Sequence, residues 1–346
     1  MTAAEKKCCM RRRRFFIAIA MISGIIAIGG LGSLHLYFFA HAPGPGPEQI
    51  ILIEAGSSLQ KIAADLHEQQ LISSRSSFIL LNRVLGSATR LQAGEYRLDA
   101  AATPLAIIDS MKNGRILLRQ VTIPEGFTLT QIGTRLQDAD LCRSDDFTNL
   151  TQAPDLLARW DIAGENAEGY LFPSTYKYSR QTSCRQLVEM MLAAGQERWR
   201  TLINGPMAPE AQALTRGQLI TMASIIQKEA GNKAEMPLIA SVFYNRLRRG
   251  MRLESDPTTI YALKENFDGN LKRRDLRHPS PYNTYRHHGL PPGPICNPGE
   301  DALQAALRPD RSDYLYFVAT KNGGHQFSRT FREHNQAVEK YQRRPH

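Results

Sequence analysis

The sequence predicts an α+β protein with an N-terminal transmembrane helix, a small β-α-α-β subdomain and a larger mixed α+β domain. Three observations support this: a charge-free run near the N-terminus, short β-prone segments between amphipathic helices, and a change of composition after Leu150. At 346 residues the chain is long enough for two or three domains. The expected divisions are a basic tail (1–14), an anchor (15–40), a Pro/Gly linker (41–48), the subdomain (49–115) and the larger domain (116–346).

A basic cluster precedes an uncharged run at the N-terminus. Lys6, Lys7 and Arg11–Arg14 are followed by residues 15–40, which contain no Asp, Glu, Lys or Arg. As a helix this run would be about 39 Å long, enough to cross a hydrocarbon core of about 30 Å with tilt. Because the basic residues come first, we expect a cytoplasmic N-terminus and an exported body. A signal peptide cleaved near Ala40 is the alternative, although its apolar core would be unusually long.

The formal net charge of +10 belongs partly to this N-terminal signal. Residues 1–47 contribute +5, and the remaining +5 is spread over well-mixed acids and bases. Such a diffuse charge does not favour binding to nucleic acid.

The cysteines fall into two groups. Cys8 and Cys9 precede the uncharged run and are expected to stay reduced. Cys142, Cys184 and Cys296 would face an oxidising space, where an odd number of cysteines cannot pair completely. A Cys142–Cys184 disulfide is possible, but free thiols are the expected state.

Two segments beyond the stiff Pro/Gly linker share a pattern. Each copy predicts a strand, a glycine turn and an amphipathic helix. Chance similarity between two generic units is the alternative. The first copy consists of Ile53, Gly56, Leu59, Ile62, Leu66 and Leu71, which recur 70 positions later as Ile123, Gly126, Leu129, Ile132, Leu136 and Leu141.

Around the first copy, the predicted elements are a strand at 50–53, helices at 59–69 and 76–85, and a strand at 94–98. This β-α-α-β order resembles the LysM module, which binds the sugar backbone of peptidoglycan. The later predicted elements are a helix at 104–113, a strand at 117–123, helices at 184–202, 221–231 and 235–249, a helix from Asp256, a hairpin with strands at 315–318 and 325–327, and a terminal helix from about Arg329.

Glu229 lies near the end of the segment TMASIIQKEAG, residues 221–231. In a helix it shares a face with Ile225, Ile226 and Met222, and Gly231 is expected to end the helix. Apolar neighbours and the negative pole of the helix dipole disfavour ionisation, so we expect a raised pKa. A carboxyl that stays protonated near neutral pH suits general-acid catalysis. A surface glutamate turned towards water is the alternative.

Residues 253–299 combine rigid proline turns with polar and aromatic side chains. Asp256, followed by proline, is expected to cap a helix. Tyr282 and Tyr285 offer flat faces for sugar rings, and Asn283 and Thr284 offer donors and acceptors to hydroxyls and amides. A packed crossover loop is the structural alternative.

The histidines do not form a recognisable metal site. None belongs to a helical ligand pair with suitably spaced acidic companions, and we expect neither a metal nor a cofactor. The histidines considered are His278, His287, His288, His325 and His334.

Several motifs occur together and in one order. They are EGYLFP (168–173), ASIIQKEAG, ASVFYNRLRRGMRLESDPTTIYAL, PYNTY, GLPPGPICNPG and YLYFVA…GGHQF. With this set, residues 120–340 resemble the endolytic murein transglycosylases, the YceG-like family. The resemblance implies a bacterial inner-membrane enzyme with a periplasmic catalytic domain (116–346), which cuts peptidoglycan glycan strands internally and ends their elongation.

The resemblance identifies Glu229 as the catalytic glutamate. Peptidoglycan strands are the expected substrate, the membrane is contacted through the anchor, and peptidoglycan synthases are candidate partners. Two positions depart from the family pattern: Gln227 replaces a common second acid, and Ser174 replaces a common Asp. The residues expected to contact substrate are Gln227, Asp256, Tyr282, Asn283 and Tyr285.

A lytic transglycosylase needs only one acid, whereas a glycosidase normally uses two carboxylates. Glu229 would protonate the oxygen that joins N-acetylmuramic acid to N-acetylglucosamine, and the 6-hydroxyl of the sugar would attack the anomeric carbon. A glycosidase with Glu254 or Asp256 as its second carboxylate is one alternative. A non-catalytic, membrane-anchored peptidoglycan-binding scaffold for wall-synthesis proteins is the other.

Overall fold

The structure is a computed structural model that describes residues 17–32, 34 and 47–343. Residues 17–32 are helical. Among the described residues, no helix combines the length and apolar character that a membrane crossing requires. The predicted anchor (15–40), the basic tail and most of the linker extend outside the described residues, so these assignments stay predictions.

The chain divides into two compact units. The first contains Met1–Arg119 and Ser179–Gln181, and the second contains Gln120–Tyr178 and Thr182–His346. Each unit combines helices with short two-stranded sheets, one in the first unit and two in the second, so the predicted α+β class is confirmed.

The first unit has the predicted β-α-α-β order. Its strands β1 and β2 are antiparallel, with Ile51 opposite Tyr96, and both side chains are buried in the core of the unit. The order of these elements is confirmed, whereas the LysM assignment stays a prediction. The elements are β1 (Gln49–Ile53), α1 (Leu59–Glu68), α2 (Arg75–Val84), β2 (Gly94–Leu98) and α3 (Pro104–Lys112).

The second unit is mainly helical, with two small sheets. Strands β3 and β4 form one sheet, and β5 and β6 form an antiparallel hairpin. Its main elements are β3 (Arg119–Thr122), α4 (Leu129–Asp138), α5 (Ser144–Thr151), α6 (Pro154–Arg159), β4 (Thr175–Tyr178), α7 (Cys184–Ile203), α8 (Pro209–Gln212), α9 (Arg216–Glu229), α10 (Met236–Arg248), α11 (Asp256–Leu263), α12 (Glu300–Leu307), β5 (Tyr316–Ala319), β6 (His325–Ser328) and α13 (Phe331–Val338).

Helix α9 is central to the core of the second unit. Residues 219–226 are all buried, and the helix packs against α10 and α12. In this stretch the buried residues extend around the whole circumference of the helix, and the two polar ones, Thr221 and Ser224, donate their hydroxyls to backbone oxygens of α9. This surrounding protein fixes the position of the end of α9.

The two predicted strand-turn-helix copies share backbone geometry. Gly56 and Gly126 have φ values of +79° and +78°, a region that L side chains rarely adopt. Ser58 and Thr128 then cap the following helices through their side chains. The turn chemistry therefore repeats along with the apolar pattern.

Cys142 and Cys184 form a disulfide, with their Cα atoms 5.2 Å apart. The expectation of free thiols at these positions was therefore wrong. The bridge joins the residue preceding the α5 cap to the first residue of α7, a proximity that arises from helix packing. Cys296 is a buried free thiol.

Candidate active site

Helix α9 carries Glu229 as its last residue. Thr215 caps the helix start in a capping box with Gln218, and Ala230 ends the helix in an extended conformation. The prediction that Gly231 ends the helix was therefore wrong. A side chain at Gly231 would instead meet the backbone oxygen of Gly323 at 2.6 Å, so this glycine permits close contact with the β5–β6 turn.

The carboxyl of Glu229 meets the start of α11. Ser255 Oγ donates a hydrogen bond to Glu229 Oε1 at 2.5 Å. The Ser255 backbone N–H in turn donates to Thr284 Oγ1 at 3.0 Å, so Thr284 fixes the backbone from which this hydroxyl projects. Among the residues that the structure describes, no protein donor reaches Glu229 Oε2. The second oxygen therefore has no hydrogen-bond partner among these residues.

The pKa of Glu229 lies near neutrality. Burial of the carboxyl raises its pKa to about 7, and the negative charge of Asp256 adds to this rise. The hydrogen bond from Ser255 and the positive charge of Arg246 oppose it. The predicted apolar face is present, because Met222, Ile225 and Ile226 are fully buried. A substantial fraction of Glu229 is therefore protonated at neutral pH.

Arg246 supplies a fixed positive charge to this region. Its guanidinium donates to the backbone oxygens of Leu315 and Leu253 and to Glu254 Oε2, at 2.7, 3.0 and 3.1 Å. Because Glu254 is paired with Arg246, its carboxylate is already engaged. Glu254 also has a φ of +52°, which identifies this turn as conformationally constrained.

Asp256 is the carboxylate that acts electrostatically on Glu229. It is the first residue of α11, preceded by Ser255 at the N-cap position, so the prediction that Asp256 caps the helix was wrong. Its side chain accepts a hydrogen bond from Tyr285 Oη at 2.7 Å. The structure therefore brings Asp256 and Tyr285 together beside the acid.

Asn283 occupies a structural position. It is fully buried, and its amide donates to the backbone oxygens of Leu276 and His278 at 3.0 and 2.8 Å. Its carbonyl oxygen accepts from Thr259 Oγ1 and from the Tyr285 N–H. Every polar atom is engaged within the protein, so Asn283 organises the loop. This corrects the expectation that it contacts substrate.

Gln227 also serves the fold. Its side-chain oxygen accepts the backbone N–H of Gly299 at 2.9 Å, at the N-cap position of α12. A carboxylate could accept the same bond, so a glutamine preserves this contact without a second acid. Ser174, the other departure, is exposed and accepts the Ile123 N–H through its backbone oxygen.

Tyr282 lines a cavity that Tyr285 does not line. Its ring packs at a tilt against Tyr261, 5.0 Å between centroids, and it borders a cavity of about 720 Å³. Glu229 does not line this cavity, which lies at the opposite end of α9. The two tyrosines, which were predicted to act as a pair, therefore lie at two separate sites: Tyr282 borders the cavity and Tyr285 lies beside Asp256.

Glu168 is a second carboxyl whose pKa is raised by burial to about 7. Its oxygens accept hydrogen bonds from the Leu129 N–H, Tyr261 Oη and Asn297 Nδ2, and only 3% of the residue is exposed. These donors oppose the rise and occupy the carboxyl. Glu168 therefore joins buried segments, whereas Glu229 keeps one oxygen free.

Sequence reasoning missed Ser255 and Arg246, and it did not indicate that Thr284 would accept the backbone N–H of Ser255. The signal for Ser255 was its place directly before Asp-Pro, where a helix begins and a short hydroxyl is common. Nothing in the local sequence indicated that this hydroxyl would turn towards Glu229, because 26 residues separate the two.

One accessible acid with a near-neutral pKa, held among fixed polar and aromatic groups, can deliver a proton to a bound substrate. That is the chemistry of a general-acid enzyme. The comparison with known families is specific: the chain belongs to the YceG-like family, which it matches over residues 51–340.

The curated relatives that the chain matches share the name endolytic murein transglycosylase. The chain is 38% identical over 308 residues to a Bacillus subtilis protein named endolytic murein transglycosylase, covering 84% of each chain. A Streptococcus pneumoniae protein of the same name is 32% identical over 307 residues, covering 79% of this chain and 54% of the relative. A 2.6 Å crystal structure of a YceG-like protein from Listeria monocytogenes has 35% identity and a TM-score of 0.57, covering 84% of this chain and 98% of that one.

Proposed function

We propose that this protein is an endolytic peptidoglycan lytic transglycosylase that cleaves the bond between N-acetylmuramic acid and N-acetylglucosamine in nascent glycan strands and so ends their elongation. Family membership and the names of its relatives support this proposal. The observation that carries it is Glu229, which has a pKa of about 7, one oxygen held by Ser255 and one oxygen open.

The chemistry requires one acid acting twice. The Glu229 carboxyl donates its proton to the glycosidic oxygen as the bond from that oxygen to the anomeric carbon breaks. The 6-hydroxyl of the same muramic acid attacks the anomeric carbon, and the Glu229 carboxylate accepts its proton. The acid is regenerated, and the strand ends in a 1,6-anhydro sugar without the consumption of water.

Asp256 supports one alternative. It is a second carboxylate beside Glu229, and a pair of carboxylates is the usual equipment of a hydrolysing glycosidase. The hydrogen bond from Tyr285 engages one of its oxygens. Hydrolysis would leave reducing ends instead of anhydro ends, so the product distinguishes the two reactions.

The proposed setting is the periplasmic face of a bacterial inner membrane, with residues 15–40 as the single anchor and the N-terminus in the cytoplasm. The basic cluster before the uncharged run supports this orientation. The Cys142–Cys184 disulfide supports an oxidising compartment for the folded body. A LysM-like role in glycan binding for the first unit and contacts with peptidoglycan synthases are parts of the same proposal.

The deciding experiment is mass spectrometry of uncross-linked peptidoglycan digested with the full-length protein and with its Glu229→Gln variant. We expect anhydro ends from the native protein and a loss of about 10²–10⁴-fold in rate for the variant. Glu197→Gln, which changes an exposed glutamate on α7, is the matched control.

Three other results would contradict the proposal. A folded Glu229→Gln variant with native activity would exclude Glu229 as the acid. Reducing ends would indicate a hydrolase. Strand binding without any product from the native protein would indicate a scaffold.

A further inference from the structure

The cavity of about 720 Å³ at the start of α9 has no role in the proton transfer. Its walls come from residues 161–166, from the first turn of α9 and from the proline loops around Tyr282 and residues 291–294. Helix α9 separates this end from Glu229 by about 20 Å, at 1.5 Å per residue. The cavity is therefore separate from the surroundings of Glu229 within the same unit.

Arg216 is the cationic group of this cavity. Its guanidinium lies over the rings of Tyr170 and Trp199, 5.4 and 5.7 Å from their centroids, so it is held between two aromatic faces. Within residues 17–32, 34 and 47–343, no carboxylate comes within ion-pair distance of Arg216, and its buried Nε has no hydrogen-bond partner. A half-buried cation that has no ion pair, and on which the negative charge of Asp161 acts only from a distance, is positioned to receive an anion.

The rest of the lining suits a short peptide. Asp161 and Glu165 are exposed acids that can attract an amino group. Gln218 and Asn166 offer amide N–H donors, because their side-chain oxygens already accept the backbone N–H groups of Thr215 and Glu168. Tyr282 adds an aromatic wall. A ligand with both a carboxylate and an amine would match these charges better than a neutral sugar.

One loop joins this cavity to the acid. Pro281 and Tyr282 line the cavity, and Thr284 accepts the Ser255 N–H beside Glu229 only two positions later. Tyr285 then bonds to Asp256. A branched polymer that lies along this loop can therefore place its backbone at Glu229 and a side branch in the cavity.

We propose that this cavity binds a stem peptide of the peptidoglycan strand, with a free carboxylate of that peptide paired to Arg216. The inference rests on the proposed function, because it takes the branched strand as the substrate. Stem peptides carry both carboxylates and amino groups, which match Arg216 on one side and Asp161 and Glu165 on the other.

The test compares two substrates: uncross-linked strands that carry stem peptides, and the same strands after an amidase has removed them. For Arg216→Gln in the full-length chain, we expect kcat/KM to fall about tenfold on the peptide-bearing strands, mainly through a higher KM. On the stripped strands we expect no change. Arg216→Lys should recover part of the loss because it restores the charge without the planar fork.

Arg198→Gln is the matched control, because Arg198 also lies over an aromatic ring, that of Phe172, but pairs with Glu300 and does not line the cavity. We expect it to affect both substrates equally. Equal losses on both substrates for Arg216→Gln, or no loss on either, would overturn the proposal. A native protein that releases no anhydro ends from either substrate would instead reject the proposed function.

A second measurement needs no substitution at Arg216. Calorimetric titration of the native full-length chain with a soluble stem tetrapeptide should show binding about tenfold tighter than with the same peptide amidated at its carboxyls. Equal affinity for the two peptides, or no binding of either, would overturn the proposal.

Discussion

Ser255 Oγ donates a 2.5 Å hydrogen bond to Glu229 Oε1, which joins the start of α11 to the end of α9. Because Oε1 accepts this bond, the proton of the neutral acid resides on Oε2, the oxygen that no described protein group contacts. The serine thus fixes the orientation of the carboxyl and the direction in which the proton can leave. It also stabilises the carboxylate that remains after proton transfer.

The first prediction concerns the pH dependence of catalysis. With the pKa of Glu229 at about 7, kcat/KM of the native protein should fall about tenfold per pH unit above pH 7, as the acid is lost. In Ser255→Ala the pKa rises further, because the hydrogen bond that favours the charged form is gone. The alkaline limb should therefore move to higher pH, measured with one substrate over pH 5–9.

Ser241→Ala is the control for this measurement, because that hydroxyl bonds to Ser312 and does not contact Glu229. Its profile should overlay that of the native protein. A Ser255→Ala limb displaced to lower pH would show that the serine does not stabilise the carboxylate.

The second prediction is that removing the charge of Asp256 shifts the pKa of Glu229 in the opposite direction. The negative charge of Asp256 raises the pKa of Glu229, so Asp256→Asn should lower it and move the alkaline limb of kcat/KM to lower pH. The asparagine can still accept the hydrogen bond from Tyr285. If Asp256 were the base of a hydrolase, the variant would instead lose its activity across the whole pH range.

The third prediction concerns stability. The folded pKa of Glu229, about 7, lies above its ordinary value of 4.5, so its contribution to stability is fully present below pH 4.5 and is lost as the pH rises through 7. Glu229→Gln removes this titration and can still accept from Ser255. At pH 8 we expect the variant to be more stable than the native protein by about 1–3 kcal/mol, with little difference at pH 4.5.

Urea unfolding followed by tryptophan fluorescence checks this, because Trp160 and Trp199 both lie in the second unit. If Glu229→Gln were less stable than the native protein at pH 8, the buried charge of Glu229 would not destabilise the native fold.

The fourth prediction contrasts Glu168 with Glu229. Both have a pKa of about 7, but the carboxyl of Glu168 is surrounded by donors from Leu129, Tyr261 and Asn297. In Glu168→Gln the amide group must face one of these donors, so we expect a loss of about 2–4 kcal/mol in unfolding free energy. Glu189→Gln, which breaks a surface ion pair with Arg159, should cost less than about 1 kcal/mol. A similar small loss for both would show that the network adjusts freely.

Patterns within one element could be predicted from the sequence. The 3.6-residue spacing of Met222, Ile225 and Ile226 gave the buried face of α9 and the raised pKa of Glu229. The β-α-α-β order of the first unit and the β5–β6 hairpin also followed from local pattern and turn chemistry. In these cases the interacting residues lie on one element or on neighbouring ones.

Relationships across loops could not be predicted. Asn283 looked like a ligand because polar residues in rigid loops often bind substrate, yet its amide holds the turn at Leu276 and His278. The same composition suits either role, and only burial distinguishes them. The bond between Ser255 and Glu229 likewise depends on how α9 and α11 pack, which no local spacing encodes.

The last prediction concerns the Cys142–Cys184 disulfide, which closes a loop of sequence separation 42. Cross-linking a loop of this size restricts the unfolded chain and is worth about 4 kcal/mol in the chain-entropy model. The double substitution Cys142→Ser with Cys184→Ser should therefore lower the unfolding free energy by about 2–4 kcal/mol, measured in urea without reductant.

Because neither cysteine contacts Glu229 or Ser255, kcat/KM should stay unchanged where the variant is folded. Adding a reductant should destabilise the native protein by the same amount and leave the variant unaffected, since Cys296 is a free thiol in both. Equal sensitivity of the two proteins to the reductant would contradict a stabilising bridge.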